Sequence, residues 1–325
     1  MISRATSGRG IARAAAALLL LVLLACAQEK QVWFTPNLAS EDMLDLFTRP
    51  EQWQRARSEV TVFKFYSGQI LADATGCPDC GPNRLPNLAS VGAFSRLGGW
   101  GIGIAIEVGA LKTWGCRAEV TLPLAREAIA RVRASGGSVR YLALDEPLLG
   151  GEFCGYTLEQ SLAETAAFVR AVQREYPELG IGDIEPYPFF RAGRLAMWVQ
   201  ALRREGLPLS FFHLDVDRVL ADRLALDVAA DLRSLAGACR VLGLPFGVIL
   251  WGSDGTTDET YSEDVLRWTR RVGAAIGQPP HTVFQSWAIS AEGSRRVPVN
   301  LPENDPAVFS HTRLINEGLA ILRRQ

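Results

Sequence analysis

The chain predicts an α/β fold of one domain, a closed (β/α)8 barrel of the TIM type, and two observations carry that prediction. Eight stretches rich in β-branched and aromatic residues, at 31–36, 59–67, 100–108, 138–147, 180–188, 209–217, 245–254 and 281–288, alternate with longer segments of helical periodicity. Strict alternation specifies a parallel sheet, because parallel neighbours need a crossover of helical length. All eight units fit within residues 28–325, and no Pro/Gly/Ser-rich linker, charge block or low-complexity run divides them. A domain of that size closes the sheet on itself and places its chemistry at the C-terminal ends of the strands.

Side-chain alternation assigns faces in order along the chain. The first strand, 31–36, is an apolar run closed by a proline. In the second, Val62, Lys64 and Tyr66 share one face and Phe63 and Phe65 the other; the aromatic pair suits the outside under the helices, so Lys64 points into the barrel. In the third, Gly103, Ala105 and Glu107 face inward while Ile102, Ile104 and Ile106 pack outward. The glycines around Trp100 lead into a strand, not a helix, so they form no nucleotide cradle. A helix over 123–137 follows, then a strand ending Asp145-Glu146-Pro147. Parity puts Asp145 in phase with Tyr141 and Ala143, and a bulge at the strand end would re-aim Glu146 instead.

After a helix over 161–177, the fifth strand puts Asp183 and Glu185 on one face, read as inward. A helix over 191–206 leads to the sixth, where Phe211, His213, Asp215 and Asp217 share a face, Asp217 reading as a helix N-cap or loop residue. A helix over 225–243 leads to the seventh, which ends Trp251-Gly252-Ser253-Asp254, and the eighth carries Gln285 and Trp287 on one face. The expected mouth is therefore a ring of Lys64, Glu107, Glu185, His213, Asp215 and Gln285. Buried charges need partners. Lys64 and Glu107 on adjacent strands supply each other, either as an ion pair plugging the barrel or as part of a site. Several carboxyls converging on one mouth raise one another's pKa, a costly arrangement that marks functional sites.

The net charge of −1 gives no reason to expect nucleic acid or another polyanion as partner. Arg4, Arg9 and Arg13 precede an apolar run from Ala14 to Ala25, too short and early to span a membrane and of the form of an export signal over residues 1–27. Leu23-Leu24-Ala25-Cys26 resembles a bacterial lipobox, which would leave Cys26 lipidated as a membrane anchor; Ala25-Cys26-Ala27 also fits simple cleavage before Gln28. An exported protein, periplasmic or at the cell surface, tolerates disulfides. Cys116 and Cys154 follow adjacent strands and are expected to pair, Cys77 and Cys80 to clip their own loop, and Cys239, in an apolar helix, to be a buried free thiol.

Asp145-Glu146-Pro147 ending the fourth strand, with Trp287 ending the eighth, resembles the large clan of glycoside hydrolases built on (β/α)8 barrels. In that clan the fourth strand ends Asn-Glu-Pro. The resemblance implies Glu146 as general acid/base, Asp145 in place of the Asn, and Trp287 as a sugar platform, with Trp251 a second. It also implies a nucleophilic Glu ending strand seven, which this chain lacks; Asp254 is the nearest carboxylate. Glu185 is then the first candidate for the second carboxylate and Asp215 the next, with Lys64, Tyr66, Glu107, Asp145, His213 and Gln285 contacting a carbohydrate. No cofactor or metal is required.

Two other readings stand beside this one. A surface lipoprotein that binds glycan without cleaving it would explain the missing strand-seven Glu. A metal-dependent, sugar isomerase-like barrel would use Glu146, Asp183 or Glu185, and His213 as ligands, although the chain's three histidines form no H-x-H or H-x-x-E cluster.

Overall fold

A computed structural model describes residues 30–325 apart from residue 254, without the side chains of residues 74 and 75. The export segment with Cys26, and Asp254, lie outside the described residues. Eight strands, β1 (Gln31–Thr35), β2 (Val62–Tyr66), β3 (Gly103–Val108), β4 (Val139–Asp145), β5 (Gly180–Tyr187), β6 (Leu209–Val216), β7 (Phe246–Leu250) and β8 (His281–Gln285), form a closed barrel in chain order. Every neighbouring pair is parallel. β8 closes on β1 with Gln31 opposite His281 and Thr35 opposite Gln285. The fold is a single (β/α)8 TIM barrel.

The strands divide their side chains between two cores. Trp33, Val62, Ala105, Ala143, Ile184, Phe211, Ile249 and Val283, one from each strand, fill the interior. Phe34, Phe63, Phe65, Ile104, Ile106, Leu144 and Phe284 are among those packed outward under the helices. Each fully buried Phe or Ile contributes roughly 1.5–3 kcal/mol. The interior rings are large, so some strands must supply no side chain. A Cβ on Gly182 would sit 2.3 Å from the Phe211 ring, and one on Gly247 2.4 Å from His213.

That crowding overturns the expected face of β5. Gly180, Gly182 and Ile184 point inward, because Tyr141 and Phe211 on the flanking strands already occupy the space beside the glycines. Asp183 and Glu185 therefore lie outside the wall, both fully buried. Asp183 Oδ2 accepts from Trp198 Nε1 at 2.8 Å, and Glu185 Oε1 accepts from Leu148 N at 2.6 Å, at the start of the helix Pro147–Phe153.

Long helices Ala118–Ala134, Leu158–Glu175, Ala192–Arg204, Val228–Val241, Asp258–Ile276 and His311–Leu322 follow β3 to β8. The first starts ahead of Pro123, where the sequence pattern begins, because the Glu164 carboxylate accepts from Ala118 N at 2.8 Å and so serves an N–H that the helix leaves unpaired. Leu158–Glu175 opens with a capping box from Thr157 and Gln160. Asp217 caps the short helix Arg218–Arg223 through Leu220 N at 2.9 Å. The segment after β8 is tied to the one after β1: Glu303 accepts from Arg55 N and Ala56 N, both at 2.8 Å. Cys77–Cys80 and Cys116–Cys154 are disulfides, and Cys239 is free and buried.

Candidate active site

At the C-terminal mouth lies a cavity of about 360 Å³ lined by Leu38, Tyr66, Glu107, Asp145, Glu146, Ile184, Asp215, Ile249, Trp251, Gln285 and Trp287. Its floor is a hydrogen-bonded chain. Lys64, buried in the barrel, donates to Glu107 Oε2 and, at 2.7 Å, to Gln285 Oε1. Gln285 Nε2 passes the chain on to the Tyr66 hydroxyl at 3.1 Å. Burial raises the Glu107 carboxyl and the Lys64 ammonium opposes it; burial also pushes the Tyr66 phenol well above its usual range, so the hydroxyl stays protonated.

The acidic pair ending β4 sits above this floor. Consecutive strand residues face opposite ways, but Glu146 adopts φ 53°, ψ 54°, the left-handed region. That conformation costs a non-glycine residue about 1–2 kcal/mol, and it turns the Glu146 carboxyl to the same side as that of Asp145. It does the re-aiming for which the sequence suggested a bulge. Lys112, from the loop after β3, meets both: its Nζ is 2.7 Å from Asp145 Oδ2 and 3.7 Å from Glu146 Oε2. Burial, then the charge of Asp145, raise Glu146 to about 7, while Lys112 pulls it down. On β6, burial and the charge of Glu146 raise Asp215 to about 8, with the neighbouring Trp251 opposing. Asp215 Oδ1 and Trp251 Nε1 are both buried beside the cavity.

Trp251 and Trp287 form one wall, with ring centroids 4.6 Å apart. The wall is held from behind by Arg218, whose guanidinium donates to the Trp251 carbonyl at 2.9 Å and pairs with buried Asp264.

Of the residues singled out in the sequence, Tyr66, Glu107, Asp145, Glu146, Asp215, Trp251, Gln285 and Trp287 meet at this cavity, and Lys64 lies just beneath it. Glu185 does not, being on the far side of the wall. His213 is on the inner face as expected but deeper: its Nε2 lies 2.9 Å from His281 Nδ1, and its ring stacks on Phe211 at 4.3 Å with Trp33 edge-on. Burial lowers His213 well below the usual histidine range, which makes it a neutral packing residue. The metal set of Glu146, Asp183 or Glu185, and His213 is thus not assembled. Among the described residues, no group of three or more His, Cys, Asp or Glu side chains is placed to hold a metal ion. Lys112 is the site residue that the sequence reading missed.

The fold has counterparts among solved structures. The catalytic domain of a hyperthermophilic chitinase from Pyrococcus furiosus matches with a TM-score of 0.51 at 12% identity, over 90% of this chain and 96% of that one. D-psicose 3-epimerase, solved in the presence of D-fructose, matches at 0.49 with 9% identity over 90% and 98%. A psychrophilic glycoside hydrolase family 10 endo-β-1,4-xylanase matches at 0.49 with 9% identity over 89% and 96%. No protein-family model matches the chain, and neither does any curated protein. At these identities the likeness is one of fold.

Proposed function

We propose that the protein is a glycoside hydrolase acting at the barrel mouth, with Glu146 as general acid/base and Asp215 as the opposing carboxyl. The observation that supports this reading is the pairing of those two carboxyls, raised to about 7 and about 8, in one cavity walled by two packed tryptophans. Cleavage of a glycosidic bond needs one protonated and one ionised carboxyl. The charge of Glu146 raises Asp215, so between those values the pair carries one proton. A one-unit difference puts the two placements of that proton within about 1.4 kcal/mol of each other. The higher value of Asp215 favours the proton there; in the placement about tenfold less populated, with the proton on Glu146, ionised Asp215 faces the positive charge that develops on the sugar. The tryptophan faces suit the apolar faces of a sugar ring. Tyr66 and Gln285 supply groups for its hydroxyls.

The test is turnover of a panel of chromogenic glycosides and of β- and α-linked oligosaccharides by the intact protein. Release of chromophore or shorter oligosaccharides supports the reading, and none from any member counts against it. One observation favours a second reading. Trp251 stands where the resemblance calls for a nucleophilic Glu, so a glycan-binding protein without turnover would keep the tryptophan wall and lose the chemistry. Calorimetric binding of an oligosaccharide that is left uncleaved would select that reading.

The same proposal includes export and a lipid anchor on Cys26. Two disulfides fit an oxidising compartment. Among the described residues, no helix is long and apolar enough to cross a membrane. Intact mass of the mature protein tests the anchor: an acylated Cys26 is expected, and an unmodified Gln28 start would remove it.

A further inference from the structure

Lys112 does not reach the acidic pair on a free loop. Its N–H and C=O both pair with Gly115, at 3.2 and 2.8 Å, closing a tight turn. The next residue, Cys116, is bonded to Cys154 at the C-terminal end of Pro147–Phe153, the helix that starts immediately after Glu146. The Lys112 carbonyl lies 3.6 Å from Cys116 Sγ and 3.7 Å from Cys154 Sγ. One covalent bond therefore joins the loop that carries the lysine to the helix that the acid precedes as its N-cap. Without it, the turn 112–115 would depend on its two backbone bonds and on the Lys112 ion pairs.

We propose that the Cys116–Cys154 disulfide is a redox control on the site, the oxidised form holding Lys112 against Asp145 and Glu146 and the reduced form releasing it. The effect on turnover rests on the hydrolase reading above; the effect on Glu146 itself does not. The electron donor is a dithiol: its thiolate attacks one cysteine sulfur, the protein S–S bond breaks, and the mixed disulfide resolves as the donor closes its own S–S bond. Two electrons and two protons pass to Cys116 and Cys154, which become thiols.

The groups around Glu146 make Lys112 decisive. Glu107 faces it from β3, Asp145 from the preceding position, Asp215 from β6, and Glu185 from behind the wall on β5; all four are acidic. Lys64 on β2 is engaged by Glu107 and Gln285. Among the described residues, Lys112 is the cation within 4 Å of Glu146. An opposite charge at that range lowers a carboxyl by about 1–3 pH units, so its release should let Glu146 rise.

The experiment follows the Glu146 carboxyl by ¹³C NMR, in protein labelled at the glutamate side-chain carboxyl and assigned with Glu146→Gln. Titrations compare the oxidised protein, Lys112→Met, Lys112→Arg, and the paired variants Cys116→Ser/Cys154→Ser and Cys77→Ser/Cys80→Ser. The Glu146 midpoint should rise by about one pH unit or more in Lys112→Met and in Cys116→Ser/Cys154→Ser, and stay in place in Lys112→Arg and Cys77→Ser/Cys80→Ser. Dithiothreitol added to folded Cys77→Ser/Cys80→Ser protein should reproduce the rise, which covers the case in which the other pair of serines fails to fold. The kcat/KM profile should shift towards higher pH. An unmoved midpoint in Lys112→Met overturns the role of the lysine. A rise in Lys112→Met without one on reduction overturns the role of the disulfide. Absence of turnover in the oxidised wild type counts against the hydrolase reading and leaves the NMR result to decide this one.

Discussion

Replacing Arg218 with methionine tests how the aromatic wall of the mouth is held. Arg218 is 5% exposed and Asp264 4%. The guanidinium donates to Asp264 Oδ1 at 2.7 Å, closely to Oδ2, and to the Trp251 carbonyl at 2.9 Å. Methionine refills most of the volume but supplies no donor. Arg267 still reaches Asp264 at 3.2 Å, but its side chain is 58% exposed and offsets little. Removing one partner of a buried pair costs about 3–5 kcal/mol, whereas replacing both by apolar residues is close to neutral. The expected loss for Arg218→Met is therefore about 3 kcal/mol or more, and Arg218→Met/Asp264→Leu should recover at least about 2 kcal/mol of it. Urea denaturation of wild type, both single variants and the double variant measures each value, with an unchanged m showing that stability alone has moved. A single-variant loss below about 1 kcal/mol, or additive losses in the double variant, would mean that the Arg218–Asp264 pair does not hold the wall.

Two further outcomes follow from the carboxyls. Glu146 and Asp215 have raised folded-state pKa values, so between the ordinary carboxylate range and about 7 or 8 the native state binds more protons than the unfolded chain. Their contribution to stability is then present at low pH and lost as pH rises through that window. Glu146→Gln should accordingly gain about 2–3 kcal/mol relative to wild type between pH 4.5 and pH 8. Equal stability differences at the two pH values would contradict the raised pKa. Glu185→Gln retains an acceptor for Leu148 N and should leave turnover within about tenfold of wild type. A loss as large as that of Glu146→Gln would restore Glu185 to the catalytic pair.

The barrel was legible because alternation and parity are set by short-range physics. Isoleucines at 102, 104 and 106 and phenylalanines at 63 and 65 leave one choice of outer face. Lys64 and Glu107, in phase with the opposite face, point into the barrel accordingly. On β5 the assignment of faces failed because polarity was taken to mean inward, whereas size decides the face: the glycines at 180 and 182 are the only residues that fit beside Tyr141 and Phe211. His213 was placed on the right face at the wrong height, since a period of two fixes the face and only register with neighbouring strands fixes depth. Glu146 owes its direction to a single backbone angle that sequence pattern does not encode. Lys112 sits on a loop, beyond the reach of parity, yet composition carried a signal. Only three of the 34 basic residues are lysines, Lys30, Lys64 and Lys112, and two of those serve the mouth. Cys116–Cys154 was readable because loops after adjacent strands must be neighbours.

In the proposed hydrolysis, Glu146 delivers its proton to a departing sugar oxygen. The deciding comparison sets wild type against Glu146→Gln on two glycosides of one sugar, an alkyl glycoside and a 2,4-dinitrophenyl glycoside. The alkyl leaving group needs a proton and the dinitrophenolate does not. A loss of about 10²–10⁴-fold in kcat/KM on the alkyl glycoside, with the dinitrophenyl glycoside kept within about tenfold, is the predicted result. Equal losses on both substrates would contradict it.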